Sequence, residues 1–348
     1  MRAIDFFCGA GGLTNGLRRS GVEVMAGVDA DARCRESFER NNTGATFFED
    51  DIRCVSARDV FKLLGSTRTG DLLLAGCAPC QPFSSQRKRP RNLNGEVERF
   101  TRDATLLSAF AHLVEQILPK FVLVENVPGL ARVHGRSTHR RFLSMLAGNG
   151  YGFVDAVLDA KQFGVPQTRR RYVLIAAKGR TPLLPSATHG RSGTPFATVR
   201  NAIAHFPPLR PGEADPTIPN HVAANLEPIN LKRIANTPQD GGDRRAWNQG
   251  LQLDCHTGGY EGHTDVYGRM RWDAPAPTLT SRCNSLSNGR YGHPEQDRAI
   301  SLREAASLQT FPDAFVFHGP NQHVARQIGN AVPVRFAESL GTQLVSMM

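Results

Sequence analysis

Apolar and polar positions alternate in blocks along the first half of the chain. The clearest apolar runs, each the length of a buried strand, are residues 3–7, 22–28, 72–75, 121–124 and 172–177. Apolar residues recur with helical spacing in residues 31–41, 104–118 and 138–146. Strands that alternate with helices are typical of a doubly wound, Rossmann-like α/β domain with a mostly parallel sheet. The pattern therefore predicts this fold for residues 1–180.

The pattern changes after residue 180. Residues 181–296 contain 13 of the 22 prolines and 12 of the 33 glycines, with few periodic apolar runs. Several aromatic residues in the same stretch argue against disorder, because disordered segments are poor in them. The sequence thus predicts a smaller, loop-rich second domain. Helical spacing returns at residues 335–345, and the simplest placement of that helix is back on the first domain.

Length and charge add to this picture. A chain of 348 residues suits two domains. The net charge of +10 favours a polyanionic partner such as nucleic acid. Basic side chains are concentrated between residues 86 and 102, against only Glu96 and Glu98: Arg87, Lys88, Arg89, Arg91, Arg99 and Arg102.

Cysteine content and hydropathy limit the class of protein. Seven is an odd number of cysteines, so we expect reduced thiols rather than a complete disulfide framework. Cys77 and Cys80 have zinc-like spacing, but Cys255 and His256 are adjacent and make a poor second pair, so we expect no metal. No apolar run approaches the roughly 18 residues that cross a bilayer, so we expect a soluble, cytoplasmic protein without membrane contact.

Cys80 is the strongest candidate for a catalytic residue. It follows the apolar run 72–75, and Gly76, Pro79 and Pro82 force the backbone into a stiff turn there. The carboxyl ends of parallel strands are where ligands and catalytic groups collect. A thiol at that edge suits covalent catalysis. The alternative, a small buried packing cysteine, is common for a lone cysteine.

Two further segments favour catalysis. The run 121–124 ends at Glu125 and Asn126, and Gln167 precedes an arginine cluster at residues 169–171. Each has an ordinary explanation, a helix cap for Glu125 and a solvated surface for the arginines. Together with Cys80 they suit nucleophilic attack on an electron-poor ring, in which an acid engages a ring nitrogen and cations favour the thiolate.

A glycine-rich turn follows the first strand and predicts a cofactor site. Gly9, Gly11 and Gly12 allow a ligand to approach the backbone. A dinucleotide fingerprint would require glycine where Thr14 stands. Asp29 ends the second strand, where an acid can bind ribose hydroxyls, and Asp51 with Ile52 could hold an adenine. An adenosine ligand without a phosphate-binding glycine indicates S-adenosylmethionine; the alternative is a strand-end acid and a helix cap.

At this point the sequence resembles the cytosine-5 DNA methyltransferases of restriction-modification type. The resemblance covers nearly the whole chain and rests on motifs that occur in the family's order: Phe7 with Gly9 and Gly11, Asp29, Asp51, Pro79-Cys80-Gln81, Glu125-Asn126-Val127, Gln167 with Arg169 and Arg171, residues 298–312, and residues 327–333. Ala30, Ala78 and Ala331 replace an aromatic, a proline and a serine that are frequent in the family.

The resemblance implies roles for individual residues. Cys80 would add to carbon 6 of a flipped cytosine, Glu125 would engage ring nitrogen 3, and Arg169 would lie beside the base. Asn126, Gln167 and Arg171 would complete the catalytic site, and the methyl group would pass to carbon 5. The implied cofactor pocket comprises Phe7, Gly9, Gly11, Gly12, Asp29, Asp51, Ile52, Pro79 and Asn330.

The resemblance also implies a domain organisation and partners. Residues 1–180 would form the catalytic domain, 181–297 the target-recognition domain, 298–325 a hinge, and 326–348 a segment that returns to the catalytic domain. Double-stranded DNA would be bound by a monomer, with contacts from Arg87, Lys88, Arg89 and Arg91; Gln86 or Arg87 would fill the gap left by the flipped base. A cognate restriction endonuclease would act on the same site.

Three other functions remain open from the sequence. A transfer-RNA cytosine-5 methyltransferase would share the catalytic motifs, although the long segment after residue 180 favours duplex DNA. A catalytically inactive DNA-binding protein would not need an intact cysteine and glutamate. A nicotinamide oxidoreductase is disfavoured by Thr14.

Overall fold

The computed structural model describes residues 1–78, 93–132, 138–191, 193–254 and 265–348. They divide into two compact units. Unit 1 comprises residues 1–159, 170–186 and 334–348, and unit 2 comprises residues 160–169 and 187–333.

Unit 1 is built on a seven-stranded sheet with the order β3-β2-β1-β4-β5-β7-β6. Its strands are β1 Arg2–Phe6, β2 Glu23–Asp29, β3 Thr46–Glu49, β4 Leu72–Gly76, β5 Phe121–Asn126, β6 Tyr151–Asp159 and β7 Arg170–Lys178. The first five strands are parallel, whereas β7 is antiparallel to both β5 and β6. The prediction of a mostly parallel α/β sheet is confirmed.

Helices flank this sheet and make up most of the regular structure of unit 2. Those of unit 1 are α1 Gly12–Arg19, α2 Arg35–Asn41, α3 Ala57–Leu64, α4 Leu93–Ile117, α5 Gly129–Arg132, α6 Thr138–Gly148 and α11 Val334–Val345. Those of unit 2 are α7 Val199–Ile203, α8 Pro228–Ala235, α9 Leu302–Leu308 and α10 Asn321–Asn330.

The central strands are apolar on both faces, because helices cover both sides of a doubly wound sheet. Leu72, Leu74 and Val122 have no exposed surface, and they join one core with residues of α4 such as Phe110 and Val114. Each such side chain contributes about 1.5–3 kcal/mol when it leaves water. This burial holds the strand ends, and the loops that follow them, in fixed positions.

Some elements differ from those expected from the sequence. Strand β6 was not predicted, since its edge position leaves most of its side chains only half-buried and its apolar pattern weak. Helix α3 was also not predicted, whereas α1 follows the glycine-rich turn as a strand-to-helix turn requires. Helix α4 begins at Leu93 rather than at residue 104. Glutamate and arginine have high helix propensity, so this charged stretch forms a helix without apolar periodicity.

Helix α11 packs against α1 within unit 1. A Cβ atom at Gly16 would come within 2.4 Å of the Ala337 Cβ, and one at Gly341 within 2.1 Å of the Ser20 Oγ. Only glycine fits at these points, because the two helices approach so closely. The last residues of the chain thus brace the helix that begins at the glycine-rich turn.

Unit 2 is rich in loops, and buried arginines hold those loops together. Arg269 is 1% exposed and donates hydrogen bonds to the carbonyl oxygens of Thr237, His293, Gln296 and Ile234, in addition to its ion pair with Asp297. Arg298 and Glu304 form a buried bidentate pair with both N–O distances 2.7 Å. A guanidinium has five donors, so it can satisfy carbonyl groups that no strand or helix satisfies.

No helix among the described residues is both long enough and apolar enough to span a membrane.

Candidate active site

Three neighbouring parallel strands of unit 1 end at the same edge of the sheet. Phe6 pairs with Gly76, and Gly76 pairs with Val124. The residues after these pairs, Phe7 to Gly9, Cys77 and Ala78, and Glu125 with Asn126, therefore lie side by side. This edge is where ligands bind in open α/β sheets.

The antiparallel direction of β7 brings a guanidinium to this edge. Val173 pairs with Glu125, so Arg171 lies at the carboxyl end of β5 rather than at the opposite edge. The Arg171 Nε lies 3.0 Å from the Glu125 Oε1, with 13% and 8% of the two side chains exposed. Burial lowers the pKa of Arg171, and Glu125 opposes that effect. The ion pair keeps the carboxylate at this edge of the sheet, although its Oε1 accepts no hydrogen bond from the described residues.

Asn126 connects β5 to the chain just ahead of the predicted nucleophile. Its Nδ2 donates to the Ala78 carbonyl at 3.0 Å, and its Oδ1 accepts from the Val127 N–H at 2.8 Å. Both bonds hold a side chain that is only 3% exposed. Asn126 therefore positions the backbone two residues before Cys80.

The predicted nucleophile itself lies outside the described residues. So do Pro79, the predicted DNA contacts Arg87, Lys88, Arg89 and Arg91, and Gln86. Cys77 is described, and burial raises the pKa of its thiol, with Glu125 and Asp5 raising it further. A thiol held neutral is a weak nucleophile, so Cys77 does not compete for the role assigned to Cys80.

The glycine-rich turn after β1 has an unusual backbone. Phe7, Gly9 and Gly11 have φ angles of 62°, 51° and 91°, in the left-handed region that favours glycine. A Cβ at Gly11 would come within 2.4 Å of the Asn42 side chain, whereas one at Gly9 would meet nothing within 4 Å. The backbone of Gly9 thus borders open space that a ligand can enter. Gly12 is the first, buried residue of α1.

Asp29 is joined to this turn. Its Oδ2 accepts from the Gly9 N–H at 2.9 Å and its Oδ1 from the Asp31 N–H at 2.8 Å. Burial raises the pKa of Asp29 against the effect of these two bonds. Each carboxylate oxygen has a second lone pair, so a bound ribose could still donate to it.

The other two predicted adenine contacts differ in exposure. Asp51 is paired with Arg53, whose Nε lies 2.8 Å from the Asp51 Oδ1. Ile52 is 4% exposed and belongs to the hydrophobic core of unit 1. The open backbone at Gly9, an oriented acid and an apolar residue fit the adenosine portion of S-adenosylmethionine.

The remaining predicted residues lie in unit 2. Arg169 is buried, and its guanidinium donates to the carbonyl oxygens of Leu279, Gly329 and Ala331 at 3.0–3.1 Å. Gln167 has no exposed surface and accepts from the Leu279 N–H at 3.0 Å. Asn330 is exposed at the end of α10. The described contacts of Arg169 and Gln167 are thus structural, and their roles toward a base remain predictions.

Sequence reasoning missed two polar partnerships. Gln309 accepts from the Gln167 Nε2 at 3.0 Å and donates to the Ile328 carbonyl at 2.7 Å. On unit 1, Thr14 donates to the Asp5 Oδ2 at 2.6 Å and so ties α1 to β1. An aspartate inside an apolar strand was the signal that could have revealed the second pair.

Comparison with known proteins agrees with these observations. The sequence model of the family described as C-5 cytosine-specific DNA methylase matches residues 1–346. The type II methylase M.HgiDII of Herpetosiphon aurantiacus is 40% identical over 336 residues, which cover 95% of this chain and 91% of that protein. The type II methyltransferase M1.HphI of Haemophilus parahaemolyticus is 30% identical, with 99% and 86% covered.

Solved structures share the fold. A DNA modification methyltransferase encoded within a prophage of E. coli has a TM-score of 0.75 at 22% identity, and the match covers 99% of each chain. The Dnmt2 methyltransferase of S. pombe has a TM-score of 0.66 at 17% identity, with 100% of this chain and 98% of that chain covered. The chain belongs to the C-5 cytosine-specific DNA methylases and is a DNA (cytosine-5)-methyltransferase.

Proposed function

We propose that this methyltransferase acts on a flipped cytosine within a specific sequence of duplex DNA, through a covalent bond from Cys80. The observation that carries the proposal is the edge of the sheet in unit 1. The buried pair of Glu125 and Arg171 lies there beside the strand end that leads to Cys80. The acid and the nucleophile would thus come from adjacent strand ends.

The chemistry follows from the electron demand of cytosine. The Cys80 thiolate forms a bond to carbon 6. Ring nitrogen 3, which receives a proton from Glu125, takes up the electron density that this addition displaces. Carbon 5 then carries the electron pair that takes the methyl group, and S-adenosylhomocysteine would be the leaving group. A base removes the proton from carbon 5, the bond between carbon 6 and the Cys80 sulfur breaks to restore the ring and release the thiolate, and ring nitrogen 3 returns its proton to Glu125.

Several residues would prepare this reaction without bonding to the base. Arg171 would hold the Glu125 carboxylate at the edge of the sheet, and Asn126 would hold the backbone that leads to Cys80. Arg169 and Gln167 lie in unit 2, so their predicted roles beside the base rest on the motif match.

S-adenosylmethionine is the methyl donor that the family implies, and it would supply an electrophilic methyl group on sulfur. We assign its binding to Phe7, Gly9, Gly11, Gly12, Asp29, Asp51, Ile52 and Pro79, with Asn330 added on sequence grounds. The open backbone at Gly9 supports this assignment, because a side chain there would occupy the space of the ligand. We expect no metal in the reaction.

Residues 181–297, most of which lie in unit 2, would recognise the target sequence, with residues 298–325 as a hinge. The basic residues after Cys80 would contact phosphates of the DNA backbone. Such contacts fix the position of a protein on the duplex but do not read its sequence. The enzyme would act as a monomer on the chromosome of a prokaryote, in the cytoplasm, together with a restriction endonuclease for the same site. The description of the matching family, which names DNA, supports a DNA rather than a transfer-RNA substrate.

The covalent step is tested with DNA that contains 5-fluorocytosine at the target position. Fluorine cannot leave as a proton does, so the complex should stay covalent and survive denaturation. Cys80→Ser should give no adduct, whereas Cys54→Ser, at an exposed cysteine, should give as much as the parent protein. An adduct that persists in Cys80→Ser would contradict the assignment.

A parallel assay identifies the substrate. The protein is incubated with labelled S-adenosylmethionine in EDTA, with plasmid DNA in one sample and transfer RNA in another. We expect label in DNA alone. Label only in RNA would refute the DNA substrate, and loss of activity in EDTA would refute the expectation that no metal is needed.

A further inference from the structure

An exposed arginine of unit 2 is held in a fixed orientation by a buried carboxylate. Arg245 is 82% exposed, whereas Asp243 is only 9% exposed. The Arg245 Nε donates to the Asp243 Oδ1 at 2.9 Å and its Nη2 donates to Oδ2 at 2.6 Å. The backbone N–H of Arg245 also donates to Oδ1, at 3.0 Å. The guanidinium is thereby fixed in a plane although it projects into solvent.

The carboxylate is itself anchored in the interior of unit 2. Arg290 lies 3.4 Å from the Asp243 Oδ2, and its Nη1 donates to the carbonyl oxygens of Gly241 and Gly242 at 2.8 and 3.1 Å. The Arg269 N–H donates to the Gly242 carbonyl at 2.9 Å. Hydrogen bonding from Arg245 holds the pKa of Asp243 well below its usual range, so the carboxylate stays charged. The loop is therefore a rigid support.

Two other arginines show why burial of the paired carboxylate matters. Arg33 and Arg53 make the same bonds to an aspartate two residues earlier, Asp31 and Asp51. Those aspartates are 30% and 29% exposed, and the arginines 60% and 45%. Arg245 thus combines the most exposed guanidinium of the three with the most buried carboxylate. The geometry recurs, but of these three arginines Arg245 presents the most exposed donor edge on the most buried carboxylate.

The free edge of Arg245 has a defined chemistry. The Nε and one Nη2 hydrogen face Asp243, so Nη1 and the second Nη2 hydrogen point outward. No described residue accepts a hydrogen bond from Nη1. Two parallel donors match O6 and N7 of guanine in the major groove. Because the side chain is already fixed, it loses little rotamer entropy when a ligand binds.

The charge of the pair favours a base over a phosphate. Asp243, which also pairs with Arg290, offsets part of the positive charge of Arg245, and attraction to a phosphate depends on net charge. Hydrogen bonds to a base edge depend instead on the position of the donors, which the carboxylate secures. We propose that Arg245 is a specificity-determining residue that reads one guanine of the target sequence, an inference that rests on the proposed role of residues 181–297.

The experiment first defines the recognition sequence of the parent enzyme by bisulfite sequencing of a library of random duplexes. The same library is then methylated by Arg245→Ala and by Arg33→Ala, the matched control from unit 1. We expect Arg245→Ala to accept any base pair at one G·C position, with kcat/KM on the parent site reduced roughly 10- to 100-fold. Arg33→Ala should keep the parent profile.

A substituted base tests the contact directly. 7-Deazaguanine at that position removes the N7 acceptor, so the parent enzyme should lose activity on it, and Arg245→Ala should lose no more. Arg245→Lys keeps the charge but not the fork and should also relax that position. It serves as the test if Arg245→Ala does not fold, which circular dichroism would show.

Other outcomes overturn the proposal. A loss that is equal for all sequences, with the slope of log K against log salt reduced by about one, would indicate a phosphate contact. An unchanged sequence profile would show that Arg245 makes no base contact. If the parent enzyme methylates no duplex at all, the proposed function fails first, before any variant is compared.

Discussion

Replacement of Asp5 by asparagine should remove a pH-dependent loss of stability. The stability of the variant relative to the parent protein should therefore increase as pH rises from 5 to 8. Asp5 lies on β1 with no exposed surface, and burial raises the pKa of its carboxyl from 3.8 to about 7 against the opposing hydrogen bond from Thr14. Its Oδ1 has no hydrogen-bond partner among the described residues. Asparagine cannot ionise, yet its oxygen can still accept from Thr14.

The sign follows from proton binding. Between pH 3.8 and about 7 the folded protein holds a proton on Asp5 that the unfolded chain has lost. Stability therefore falls as pH rises through this window and stays lower above it. Each pKa unit is worth about 1.4 kcal/mol, so the full effect is ~4 kcal/mol, of which ~3 kcal/mol develops between pH 5 and pH 8. The buried amide N–H costs about 1–3 kcal/mol at every pH and cancels from this difference.

The assay is thermal unfolding from pH 5 to pH 8.5. At about 2 °C per kcal/mol for a chain of this size, the midpoint of Asp5→Asn relative to the parent should rise by about 6 °C between pH 5 and pH 8. Glu115→Gln, which removes the same charge from an exposed site on α4, is the control and should show no such trend. A constant difference between Asp5→Asn and the parent would refute the reasoning.

Two further substitutions test the site. Arg171→Gln leaves the Glu125 carboxylate buried without its partner, so we expect a loss of ~3 kcal/mol in stability and a fall in kcat for methylation. Adding Glu125→Gln to this variant should restore stability but not kcat. An unaltered kcat in Arg171→Gln would contradict its positioning role. Gly11→Ala should raise the KM for S-adenosylmethionine, because φ is 91° and the new Cβ would lie 2.4 Å from the Asn42 side chain. Gly44→Ala is the control for backbone strain, since Gly44 has a φ of 90° and open space around it. Equal KM values in the two variants would contradict a role for the turn.

Local patterns were reliable where burial controls them. The strands at β1, β2, β4, β5 and β7 were predicted within two residues, because apolar runs in the centre of a sheet must be buried on both faces. Edge strand β6 and the charged first part of α4 were missed, since neither depends on a continuous apolar face. The same reasoning placed Gly9, Asp29 and Glu125 at the ends of their strands.

Contacts between distant segments could not be derived in this way. Arg169 and Arg171 look alike in the sequence, yet Arg171 pairs with Glu125 while Arg169 binds backbone carbonyl groups of unit 2. The direction of β7 explains part of this difference. A parallel strand would have carried Arg171 to the opposite edge of the sheet, and strand direction depends on how the chain returns rather than on the strand itself.

The sequence by itself determined the class of fold, the family and the residue types at the strand ends, because burial and close backbone approach restrict which residues can stand there. Only the tertiary structure decided which guanidinium meets Glu125, that Asn126 holds the backbone before Cys80, and that Asp243 supports Arg245. Such pairings depend on distances of a few ångströms between segments far apart in the chain. Those distances are set by the packing of the whole unit, which no local pattern records.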